Sequence, residues 1–122
     1  MFVSRSRIAL AGIASVLALG AAACGSSSPS APTVAADVTI SMVGDRGSQS
    51  FAPNPTTVRV GQTVAWTNND STAHDATQDG ARFQTGTVNA GATSAPITMS
   101  AAGTFTYHCT IHPGMVGSLV VQ

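Results

Sequence analysis

Gly103-Thr104-Phe105-Thr106-Tyr107-His108-Cys109-Thr110-Ile111-His112-Pro113-Gly114-Met115-Val116-Gly117 is the stretch that decides how this chain folds. Its first half alternates. Phe105, Tyr107 and Cys109 share one parity, and Thr104, Thr106 and His108 share the other. Period-2 alternation of aromatic and β-branched residues marks a half-buried strand, so the Cys109 thiol is expected to point with the aromatics into a core. His108 then belongs to the surface. Beyond Cys109 the strand must turn, because Pro113 restricts His112 to extended backbone and Gly114 permits a tight reversal. Val and Leu resume after Met115, so the segment reads as strand, short loop, strand.

Outward from this hairpin the same pattern recurs. Segments rich in Val, Thr, Phe and Tyr, divided by Gly, Pro, Asn and Asp, predict strands at 37–43, 56–60, 62–68, 74–78, 93–99, 104–109 and 116–121, with a short one at 50–53. Val58, Val60, Val64 and Trp66 share a parity and are assigned to one buried face. Met42 and Met99 fall in strands and are read as core. Seven to eight short strands at about 8–12-residue spacing predict an all-β sandwich or small barrel. Lys and Glu are absent and Leu is scarce while Thr and Val abound, which excludes a helix-rich architecture.

The front of the 122-residue chain has a different character. Arg5 and Arg7 precede an uncharged run over residues 8–23, too short for a membrane span and right for an export signal, so residues 1–23 are expected to be a signal peptide. The run ends in Ala21-Ala22-Ala23-Cys24, which admits two readings. It fits an ordinary A-x-A cleavage site, giving a periplasmic or secreted protein, and it resembles a bacterial lipobox whose Cys24 carries a lipid. The Ser-, Pro- and Ala-rich residues 24–36 favour lipidation, since they form a tether between an anchor and a domain over residues 37–122. The expected place is the outer face of the cytoplasmic membrane or cell envelope. A domain of this size holds one small core with marginal stability. After residue 23, Arg46, Arg59 and Arg82 face Asp37, Asp45, Asp70, Asp75 and Asp79, which excludes a nucleic-acid binder that needs a basic stripe.

Two cysteines in an exported protein ordinarily mean one disulfide. Here Cys24 lies in the tether and Cys109 ends a strand. With Cys24 lipidated, Cys109 is a lone thiol in an oxidising compartment, and a metal is the commonest reason to keep one. Cys109, His112 and Met115 stand at i, i+3 and i+6 on one loop. His74 supplies a fourth donor, because it follows the polar stretch 68–73 at the end of the Trp66 strand. A thiolate, two imidazoles and a weak thioether make the ligand set of a blue-copper centre. Structural zinc favours full N, S or carboxylate ligation over Met, and iron–sulfur clusters need more thiolates. Asp75 adjoins His74 and Thr110 adjoins Cys109, so a hydrogen bond between these two would tie the ligand loops together.

These residues resemble the cupredoxins, of the plastocyanin and amicyanin type. The resemblance lies in Val58-Arg-Val-Gly-Gln-Thr-Val-Ala-Trp66-Thr-Asn-Asn, in His74, and in Tyr107-His-Cys109-Thr-Ile-His112-Pro-Gly-Met115-Val-Gly. It covers most of residues 37–122, and the C-x2-H-x2-M spacing is similar to that of amicyanin. It implies a Greek-key β-sandwich with one type 1 copper at one end. Three departures are plain. Asp75 stands where Asn is usual, Ile111 where Pro is frequent, and the chain carries no dense acidic patch, so a photosynthetic partner is not implied.

The expected function is therefore a small mononuclear type 1 copper protein, not an enzyme, that shuttles single electrons as its copper cycles between Cu(I) and Cu(II). Its expected partners are redox proteins docking transiently around His112, with the membrane held through Cys24 and the domain itself a monomer. The alternative is a periplasmic copper chaperone or buffering protein, which would favour exposed Met- and His-rich tracts that the chain lacks.

Overall fold

The computed structural model of the chain describes residue 25 and residues 34–122. The expected signal peptide over 1–23 and Cys24 lie outside the described residues. Eight strands follow in order: β1 Val38–Met42, β2 Phe51–Ala52, β3 Thr56–Val58, β4 Thr63–Asn68, β5 Thr77–Gln78, β6 Ile97–Thr98, β7 Gly103–His108 and β8 Val116–Val121. A 3-10 turn, Gly47–Gln49, precedes β2. They form two four-stranded sheets with orders β2-β1-β4-β6 and β3-β8-β7-β5. The pairs β1–β4 and β3–β8 are parallel, and the remaining pairs are antiparallel. The result is the expected all-β, Greek-key sandwich.

Alternation explains which residues fill the space between the sheets. β1 sends Ile40 and Met42 inward, β4 sends Val64 and Trp66, and β8 sends Leu119 and Val121, all essentially without exposure. Four aromatic rings form the centre. Trp66 stacks on Phe83 at 5.5 Å and meets Tyr107 edge-on at 5.7 Å, while Phe51 meets Tyr107 edge-on at 4.8 Å. Met42 and Met99 are core residues, as their strand positions implied.

Local differences from the sequence pattern have physical causes. Val60 is 49 % exposed, because the chain turns there: Gln62 N–H reaches back to the Arg59 carbonyl and Gly61 adopts a φ of 91°. The parity that links Val58 to Val64 therefore skips Val60. The segments 74–78 and 93–99 contribute only β5 and β6 as strands, with single bridges at His74↔Val88 and Thr67↔Thr93. Phe105 is only partly buried. What matters for the site is that β4, β7 and β8 deliver their connecting loops to the same end.

Candidate metal centre

Cys109 lies one residue past β7 and keeps the inward parity of Tyr107, so its thiol is fully buried. The following loop is closed by two backbone bonds. Met115 N–H donates to the His112 carbonyl at 2.9 Å, and Cys109 N–H donates to the Met115 carbonyl at 3.0 Å. This tight closure buries the Met115 side chain completely and leaves His112 half-buried at the loop's crown. At Gly114 a Cβ would stand 3.2 Å from Asp45 Oδ1, so the loop passes close under that carboxylate.

His74 comes from the loop between β4 and β5. Paired hydrogen bonds with Val88, at 3.1 and 2.7 Å, hold its backbone, and its side chain is 1 % exposed. Its Nδ1 lies 3.1 Å from Nδ1 of His112, and Cys109 Sγ lies 3.9 Å from each of these nitrogens. The donor atoms of the three residues fall within 4.8 Å of one another. Two imidazoles and a thiol so close form a cluster that a shared cation or a shared proton reconciles. Three of the four donors expected from the sequence thus meet at one point, and the fourth, Met115, is buried on the same short loop.

The surroundings tune this cluster. Burial pushes the Cys109 thiol up from its ordinary value, with the Asp75 N–H, 3.4 Å from the sulfur, opposing the rise. A soft metal that takes the thiolate relieves that cost. Asp75 joins the two ligand loops. Its Oδ1 accepts Thr110 N–H at 2.6 Å, and its Oδ2 accepts the hydroxyls of Thr110 at 2.8 Å and Thr77 at 2.9 Å. Burial works to raise the Asp75 carboxyl, yet hydrogen bonds from Cys109, Thr110 and Thr77 outweigh it and hold it below the usual carboxylate range.

One participant escaped the sequence reading. Asp70 Oδ2 lies 2.8 Å from Nε2 of His74, on the side of the ring away from the thiol. The available signal was an Asp four residues before the His, in the polar stretch 68–73. His108, by contrast, keeps to the outer face, where its Nδ1 pairs with Asp79 at 2.7 Å.

The family model described as copper binding proteins, plastocyanin/azurin family, matches residues 38–122. The chain belongs to this copper-binding family. It is 33 % identical to an amicyanin from Paracoccus denitrificans over 129 aligned residues, covering 97 % of this chain and 95 % of that protein. It is 35 % identical over 100 residues to a chloroplastic plastocyanin from Chlamydomonas reinhardtii, covering 71 % of this chain and 68 % of that one. Among solved structures, a purple cupredoxin from Nitrosopumilus maritimus superposes with a TM-score of 0.62 at 26 % identity, covering 70 % of this chain and all of that one. Copper is thus the metal that the donor set and the family both indicate, and the protein is a cupredoxin.

Proposed function

We propose that this protein is a type 1 copper electron carrier in which His74, Cys109, His112 and Met115 hold a single copper ion. The observation that carries the reading is the convergence of a fully buried thiol and two imidazole Nδ1 atoms within 4.8 Å at one pole of a rigid sandwich. Copper bound there supplies a one-electron Cu(I)/Cu(II) couple. The residues provide the rest. Cys109 and Met115 offer soft sulfur suited to Cu(I), and the imidazoles suit Cu(II), so one donor set serves both states. The closed 109–115 loop and the Asp75 bridge fix the donors and exclude water. The plastocyanin and amicyanin relatives favour a carrier over an enzyme.

His112 offers the electron its way out. Its ring is the least buried of the cluster, and exposed Ile111, Pro113 and Gly114 surround it with an apolar rim suited to transient docking of redox proteins. The Arg5–Arg7 front and the Ala21-Ala22-Ala23-Cys24 junction support export, with a lipid on Cys24 holding the domain at the envelope. The visible spectrum of the Cu(II)-loaded protein tests the metal reading. An intense thiolate charge-transfer band and fast, reversible one-electron cycling are expected; a colourless, redox-silent adduct would refute it. Fractionation tests the anchor: Cys24→Ala should release the protein from the membrane fraction, and unchanged partitioning would favour simple cleavage.

A further inference from the structure

The imidazole of His74 is held from behind as well as from in front. Asp70 Oδ2 lies 2.8 Å from its Nε2. An ionised carboxylate only accepts hydrogen bonds, so Nε2 carries a proton, and in the neutral imidazole Nδ1 then keeps its lone pair. That Nδ1 is the atom facing His112 and Cys109.

The carboxylate is itself placed by the fold. Asp70 N–H donates to Asn68 Oδ1 at 2.9 Å, at the last residue of β4. Asn68 is fully buried, and its Nδ2 donates to the carbonyls of Thr72 at 2.7 Å and Val88 at 2.9 Å. One amide therefore pins both sides of the 69–73 loop. Gly44 closes the other flank, where a Cβ would stand 3.3 Å from Asp70 Oδ2. Among the described residues nothing comparable hydrogen-bonds the outer nitrogen of His112, so the two histidines are held unequally.

We propose that Asp70 is the positioning residue of His74: it selects the tautomer whose Nδ1 faces the metal, and it sets a negative charge behind that imidazole which favours Cu(II) over Cu(I). The proposal rests on the copper reading for its second half only. A carboxylate hydrogen-bonded to a ligating imidazole raises ligand basicity, and such partners typically carry 10–100-fold of metal affinity.

The test uses the full-length protein with Asp70→Asn, Asp70→Ala and Asp70→Glu. In the metal-free protein, long-range proton–nitrogen NMR should find His74 as the Nε2–H tautomer in the wild type and in Asp70→Asn, whose amide oxygen still accepts. Asp70→Ala should give a tautomer mixture. In the copper-loaded protein, Asp70→Asn should lose about 10-fold of the Cu(II)-over-Cu(I) preference, a potential about 59 mV higher for one electron. Asp70→Glu should fall back toward the wild-type potential. Unchanged tautomer in Asp70→Ala together with unchanged potential in Asp70→Asn would overturn the proposal. If Asp70→Ala fails to fold, the near-isosteric Asp70→Asn decides by its potential. Should the wild type itself form no copper band, the copper reading fails, and the NMR comparison alone decides the positioning role.

Discussion

At the scale of single residues, Cys109 is the most consequential atom donor and the least replaceable. Its thiol sits where burial opposes ionisation, and a soft cation that displaces the proton offsets that cost. Cys109→Ser replaces sulfur with a smaller, hard oxygen that still accepts the Asp75 N–H. The sandwich should therefore stay folded while the charge-transfer band disappears. Absorption and far-UV circular dichroism check the two halves separately, and a variant that stays blue would end the type 1 assignment.

At the scale of elements, two devices hold the hairpin β7–β8 and its loop in place. The first is Asp75, all of whose contacts from Thr110 and Thr77 are donors to a carboxylate. Asp75→Asn keeps an oxygen for the Thr110 N–H and sets a neutral amide against two hydroxyls that can turn to accept it, so the loss is that of the charge-assisted bonds and should cost the metal-free protein about 1–2 kcal/mol in urea unfolding. The sign of its pH dependence follows from the lowered carboxyl: the contribution is present above the unfolded carboxylate pKa and fades as pH falls through the lower folded value. The gap between variant and wild type should shrink in acid, and a gap independent of pH would place the effect elsewhere. The second device is Gly117, cross-strand partner of Tyr107. A Cβ there would lie 2.4 Å from Tyr107 Cζ. Gly117→Ala should destabilise by about 1–3 kcal/mol through overpacking. Adding Tyr107→Leu to Gly117→Ala should recover part of that loss in a double-mutant cycle, and strictly additive losses would show that the ring is not what Gly117 accommodates.

For the whole molecule, the central aromatic cluster links stability to alkaline pH. Burial raises the Tyr107 hydroxyl to about 12, tempered by the nearby Trp66 indole, although neither polar atom completes a hydrogen bond. Unfolded tyrosine ionises near 10. Global stability is therefore unaffected by Tyr107 below about pH 10 and falls as pH climbs toward 12, by about 2–3 kcal/mol over those two units. Tyr107→Phe removes an orphaned hydroxyl, so it should equal or exceed the wild type at neutral pH and flatten this limb. Denaturant midpoints at pH 8, 10 and 11.5 decide it; an equally steep decline in Tyr107→Phe would assign the alkaline loss to other groups.

The 109–115 loop was legible in the order of residues alone, because Cys109, His112 and Met115 are close neighbours in the chain and their relative placement is a local matter of Pro113, Gly114 and strand parity. So was the sandwich, through alternation in β1, β4, β7 and β8 and through turn residues between them. The rest depended on contacts between segments far apart in the chain. Val60 left its expected face because the Arg59–Gln62 turn, not the alternation, governs that position. β5 and β6 shrank to two residues each because strand length depends on how far a neighbour offers hydrogen bonds. His74 could be guessed from its place after the Trp66 strand, but its 3.1 Å approach to His112 required the loop that crosses from β4 to the other sheet to meet the β7–β8 loop. Asp70 was illegible for the same reason: a loop carboxylate reads as solvated until buried Asn68, and Gly44 from another loop, fix where it points. Local spacing names the candidate donors, whereas contacts distant in sequence decide which of their atoms face one another.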